Sequence, residues 1–256
     1  VAHWTLQPDA AFADLVGALC FSNDGDGSWL GRPIQVRPDR WIDVCFSVPE
    51  SGGVPQCEIV GLKRSPLTVA NHHRVENVLI QLRPWAAAQL FGAEVFAWTD
   101  QCIDLRDLMG EADVLIDQVA EAWFAERHQV IQSWLRSRLA CAKPSAAVMA
   151  VAEAVRQIEN AKGLLGVDLL CQRLGVGERR LQRWFHDWVG VSPKAYMRLI
   201  RYREAERRIA TGQKLMRVAG DLGFSDQAHL SREFKAFAGV TPSVCVAGAD
   251  CPMPGA

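Results

Sequence analysis

Arg179, Arg180, Gln182, Arg183 and His186 sit in the run ERRLQRWFHDWV, whose apolar residues Leu181, Trp184, Phe185 and Trp188 recur at i, i+3, i+4 and i+7. On a helix that spacing turns the apolar set inward and leaves a cationic, hydrogen-bonding set outward. Arg and Gln make paired hydrogen bonds to guanine and adenine edges in a major groove, whereas Lys and His suit phosphates. A second set of the same kind follows: Gln227, His229, Ser231, Arg232 and Lys235 lie between the inward-facing Leu230, Phe234 and Phe237. The chemistry these residues offer is reading double-stranded DNA, and none of them is a catalytic candidate.

The elements that must position them are two copies of one unit. Residues 174–193 read LGVGERRLQRWFHDWVGVSP and residues 222–242 read LGFSDQAHLSREFKAFAGVTP, matching at Leu174/Leu222, Gly175/Gly223, Leu181/Leu230, Arg183/Arg232, Phe185/Phe234, Gly190/Gly239 and Pro193/Pro242. Each copy reads as a helix-turn-helix: a short helix, a stop at a glycine free to take a left-handed turn, and a second helix carrying the polar set. The units are expected over about 167–189 and 215–238, joined by a helix over 193–211 with Tyr196, Leu199, Ala205 and Ile209 on its apolar side.

The doublet resembles the DNA-binding domain of the AraC/XylS family of bacterial transcription regulators, over about residues 147–244. Cys171, Gly177 and Ala228 replace residues usual in that pattern, and Cys245 and Val246 stand where it commonly ends Tyr-Arg. The resemblance implies a sequence-specific regulator, such as an activator, with DNA and RNA polymerase as partners. It also implies a homodimer in the cytoplasm. The two recognition helices, held by one bridging helix, would enter successive major-groove faces about 34 Å apart.

At 256 residues the chain has room for two domains. Its net charge of -1 conceals a split: from Lys143 onward 17 Lys and Arg face 11 Asp and Glu, a net of +6, while residues 1–142 carry a net of -7. The basic half is the half that holds the doublet, as expected if one domain meets DNA and the other is kept off it. The 8 cysteines show no C-x2-C pair, so no zinc knuckle or disulfide framework is expected. No apolar stretch is long enough to span a membrane, and the first residues lack a secretion signal, so the expectation is a soluble intracellular protein.

The first hundred residues read as β-rich, with strands over 34–36, 41–48, 57–60, 67–70 and 77–82 between turn clusters. In 41–48, Ile42, Val44, Phe46 and Val48 share one face and Trp41, Asp43, Cys45 and Ser47 the other. Helical periodicity takes over at 85–92, 105–109, 112–126 and 128–139, the third with Val114, Leu115, Val119, Ala122 and Trp123 on one stripe. Pro144 and Ser145 read as the start of the next helix. The fold class is therefore α+β in two domains. Residues 1–142 form a β-rich domain ending in helices, and 143–256 an all-α domain with two helix-turn-helix motifs. The runs VRPDRWIDVCFSV, IVGLKRSP and VLIQLRPWAAAQLFG resemble the cupin-like sensor region found before this doublet in part of the family.

Other groupings invite chemistry and are weighed against plainer roles. His72, His73 and Glu76 suggest a metal, but they fall in a strand and turn region where helical spacing has no meaning, so no metal or cofactor is expected. Asp39 and Asp43 lack a nucleophile or oxyanion partner, which favours a turn role for Asp39 and no enzyme activity. Cys45 or Cys57 as a redox switch needs a cationic, accessible site. Trp41, Asp43 and Cys45 are the candidates for binding a small-molecule effector, if their strand face lines a cavity. The alternatives are a regulator controlled by a partner protein or by abundance, and an enzyme carrying this DNA module. The latter type resembles alkylation-repair methyltransferases, which need a close four-cysteine cluster that this sequence lacks.

Overall fold

A computed structural model describes residues 2–51, 53–70, 74–92, 95–140 and 144–247. The strands are β1 (Ala2–Leu6), β2 (Val16–Asn23), β3 (Pro33–Val36), β4 (Ile42–Pro49), β5 (Gln56–Val60), β6 (Leu67–Ala70), β7 (Val75–Leu82) and β8 (Cys102–Asp104). Six of them form one antiparallel sheet in the order β1-β2-β7-β4-β5-β8, and β3 pairs with β6 separately. The alternation in β4 works as the sequence predicts. Ile42, Val44 and Phe46 are completely buried in the main core with Leu19, Val78, Ile80 and Ile59 from neighbouring strands.

The N-terminal helices are α1 (Pro84–Phe91), α2 (Ala112–Glu121) and α3 (Arg127–Ala140), and α1 has Pro84 in its first turn and left-handed Gly92 at its end. The stripe expected over 112–126 is corrected here. α2 stops at Glu121 because Ala122 is extended, and the buried set is Ala112, Leu115, Ile116 and Val119. Val114 and Trp123, expected inside, are 59% and 80% exposed. Residues 105–109 form only a short 3-10 turn, Leu105–Asp107.

The C-terminal helices are α4 (Ala146–Asn160), α5 (Val167–Leu174), α6 (Glu178–Val189), α7 (Pro193–Ala210), α8 (Leu215–Asp221), α9 (Gln227–Ala238) and α10 (Pro242–Ala247). Ser145 caps α4 through its hydroxyl, which accepts from the Val148 amide, and Ser192 caps α7 in the same way ahead of Pro193. The division expected between residues 142 and 143 lies outside the described residues. The apolar core does not break on either side of it. One cluster runs from Phe12 through the sheet and α1 into α4, α5, α6 and the first half of α7. A second cluster holds α8, α9 and the rest of α7, around Leu199, Tyr202, Leu222, Leu230 and Phe234.

Candidate nucleic-acid interface

α5 and α6 form the first helix-turn-helix. Gly175 ends α5 in the left-handed region, at φ 64°, so the turn closes without a Cβ clash. α6 then buries Leu181, Phe185 and Val189, while Trp184 and Trp188 are half-buried at the edges of the stripe. Arg179, Arg180, Gln182, Arg183 and His186 are all exposed. Gln182 donates to Glu178 at 2.9 Å, and among the described residues Arg179, Arg180 and Arg183 make no ion pair. His186 is differently placed. Its ring stacks on Phe96 with centroids 3.9 Å apart, and its Nδ1 lies 3.0 Å from Asp187.

The second unit repeats the plan with α8 and α9. Asp226 caps α9 by accepting from the His229 amide at 2.6 Å, and Leu230, Phe234 and Phe237 go inward. Gln227, Arg232 and Lys235 are exposed, and Ser231 is half-buried. His229 turns back into the motif. Its Nδ1 accepts the Ser225 amide at 3.3 Å, and its ring meets Phe224 edge-on, so it braces the turn and does not project from it.

α7 joins the two units. Arg198 makes two hydrogen bonds to Glu233 of α9, at 2.8 and 2.9 Å, and Arg208 reaches Asp221 at the end of α8 at 3.0 Å. Glu204 collects Arg207 at 2.8 Å, Arg208 at 2.7 Å and Lys162 at 3.5 Å, and Glu206 pairs with Arg203. The arginine-rich run of this helix is thus mostly committed to carboxylates.

Nothing local in the sequence announces how closely the N-terminal half holds these helices. Glu159, at the end of α4, receives Arg83 at 2.7 Å and the Tyr196 hydroxyl at 2.8 Å, with Arg40 at 3.7 Å. The Tyr196 ring in turn meets Phe185 of α6 edge-on. Arg37 donates to Glu206 at 2.9 Å. Thr99 donates to the Gly190 carbonyl at 2.7 Å, beside the 3-10 turn Val95–Trp98. Arg37, Arg40, Arg83 and Thr99 carry no local pattern that announces these contacts.

The effector candidates lie on the other face of the sheet. Trp41 is buried, its ring against Gly17 and under the Arg83 guanidinium at 4.4 Å. Asp43 is buried 3.8 Å from Lys63, which borders a shallow hollow with Val60, Leu67 and Asp100. Among the described residues, neither Asp43 Oδ1 nor Lys63 Nζ has a hydrogen-bond partner. Burial, with the nearby charge of Asp39, pushes the Asp43 carboxyl up to about 7 against the pull of Lys63. Cys45 is half-buried beside Ala18, Cys20 and Leu79. Asp39 is not paired with Asp43; it accepts from the Trp41 amide at 2.9 Å and closes its own turn.

Burial pushes the Cys45 thiol up to about 12 and that of Cys57 well above its ordinary value. That is the reverse of the cationic, accessible setting a redox switch needs. His72 and His73 lie outside the described residues, and Glu76 is engaged by Arg127 and Asn23, each at 2.8 Å. Among the described residues no group of His, Cys, Asp and Glu has metal-holding geometry, and no helix is long and apolar enough to cross a membrane.

Residues 170–247 match a family profile described as a helix-turn-helix domain, and the match spans α5 through α10. The chain carries a helix-turn-helix domain over these residues. No curated protein matches it. Among solved structures, this chain is similar to ToxT from Vibrio cholerae O395, at 12% identity and a TM-score of 0.44 over 96% of this chain and 97% of that one. A structure of Vibrio cholerae ToxT with bound unsaturated fatty acid matches at 12% identity and a TM-score of 0.43, over 89% and 93% of the two chains. Likenesses this distant assign no function.

Proposed function

We propose that this protein is a sequence-specific, DNA-binding transcription regulator whose N-terminal domain responds to a small molecule. What supports the DNA reading is one observation. Two equivalent helices, α6 and α9, are held on a single connecting helix, and each presents arginine and glutamine that the fold leaves exposed. Arg179, Arg180, Gln182 and Arg183 form the reading set of the first unit, and Gln227, Ser231, Arg232 and Lys235 that of the second. His186 and His229 contribute less, because both rings are engaged within the protein.

In this reading residues 1–142 are the sensing and association part and 143–256 the DNA-binding part. The protein acts in the cytoplasm as a homodimer, contacts RNA polymerase, and has no catalytic role. The effector would be held on the sheet face of Trp41, Asp43 and Cys45. The buried Asp43 and Lys63, both with hydrogen-bonding capacity unused, support that placement.

Selection of bound duplexes from a random DNA pool tests the first claim. The expected result is enrichment of two half-sites about one helical turn apart. Binding that tracks salt and enriches no sequence would overturn it. A thermal-shift screen of small organic molecules tests the second: a stabilising compound should lose its effect in Trp41→Ala, and the absence of any stabilising compound would favour control by a partner protein.

A further inference from the structure

Gly190 and Gly239 are equivalent positions of the internal repeat, and each ends a recognition helix in the left-handed region, at φ 88° and 75°. The N-terminal domain touches both. At Gly190 the approach is so close that an added Cβ would stand 2.9 Å from Thr99 Oγ1 and 3.1 Å from the Val95 carbonyl. Thr99 bonds the Gly190 carbonyl, and Phe96 lies on His186 one turn earlier. At Gly239 an added Cβ would stand 3.1 Å from Pro66 and 3.3 Å from Gln35. Arg37, two residues beyond Gln35, fastens the end of β3 to Glu206 of α7. The opposite ends of α6 and α9, with Arg179, Gln182, Arg183, Gln227 and Arg232, remain exposed.

We propose that the N-terminal domain is a gauge: it grips both recognition helices at their terminal glycines and so fixes the separation of the DNA half-sites the chain accepts. This rests on the DNA reading above. α7 alone is a weak ruler, because the two units belong to separate apolar clusters that meet along it. A tilt at that seam would move one reading head relative to the other. A domain that holds both heads from their far ends removes that freedom without occupying the residues that face DNA. Thr99, Phe96, Gln35 and Arg37 are then positioning residues for specificity, acting through the helix ends.

The test uses the full chain and a duplex selected from the random pool, rebuilt as a series with the half-sites moved by single base pairs. The unaltered protein should prefer one spacing over its neighbours by about tenfold or more, the scale of a defect in one contact set. Thr99→Val and, separately, Gln35→Ala should flatten that preference severalfold while leaving affinity for a single half-site unchanged. Gln35 is exposed on β3, so its truncation spares the core and keeps the answer clear even if Thr99→Val weakens the fold. An unchanged spacing preference in both variants would overturn the gauge and leave α7 as the ruler. A pool that enriches no sequence would instead sink the DNA reading, and the gauge with it.

Discussion

The hydroxyl of Tyr196 donates to Glu159 Oε1 at 2.8 Å, and the same carboxylate receives Arg83 from the end of β7. One half-buried acid therefore joins the sheet, α4 and α7. Burial and the Glu159 charge hold the Tyr196 phenol well above its ordinary range, so it stays a proton donor at any working pH.

Glu159→Gln should destabilise the chain more than Tyr196→Phe. The first leaves Arg83 and Arg40 without their carboxylate; the second removes one hydrogen bond to a charged group, a loss of about 1.5 to 3 kcal/mol. Urea unfolding of the three proteins checks the order. Equal midpoints would mean that water replaces these bonds at no cost.

Arg183→Ala should erode preference among DNA sequences more than generic binding, by about 1 to 3 kcal/mol at the selected site. Competition binding against unrelated duplex measures it. A uniform loss over all sequences would reassign Arg183 to phosphate.

Hydrogen bonds from Arg207 and then Arg208 hold Glu204 down to about 2, against an ordinary 4.5. A depressed carboxylate stabilises the folded state above its unfolded pKa, and that gain disappears as pH falls through the folded value. Glu204→Gln should therefore be less stable than the unaltered protein near pH 7, with the gap closing between pH 4.5 and about 2. Thermal unfolding across that range reads the difference; a gap that is constant with pH would show that packing, not charge, is lost.

Alkylation followed by peptide mapping should label exposed Cys102 in the folded protein and spare buried Cys20 and Cys57 until denaturant is added. Burial raises the Cys20 thiol to about 11, which further slows it near neutral pH. Rapid labelling of Cys57 in the native state would contradict the packed sheet.

The helix-turn-helix doublet was legible because its information is local. Apolar spacing within α6 and α9, glycines at the turns, and Pro144 with Ser145 at the start of α4 each act over a few residues. β4 was legible for the same reason. β1 and β2 were not, because VGALCFSN is apolar on both faces at several positions and offers no clean alternation. Trp123 misled because its fit to a helical stripe gave no warning that Ala122 would be extended and end α2 before it. The grip on the recognition helices was beyond reach: Thr99 and Gly190 are 91 residues apart, and a hydroxyl meeting a carbonyl leaves no periodic trace.

The core that passes without a break from the sheet into α6 has a genetic consequence. A lesion under β4 or α1 loosens the first reading head along with the sheet, so a screen for lost regulation would collect substitutions such as those at Val44 or Trp85 alongside those at Arg183. Lesions around Leu230 or Phe234 fall in the other cluster and should spare the sheet. A phenotype map of this chain would therefore divide within α7, well downstream of where the sequence divides the chain into domains.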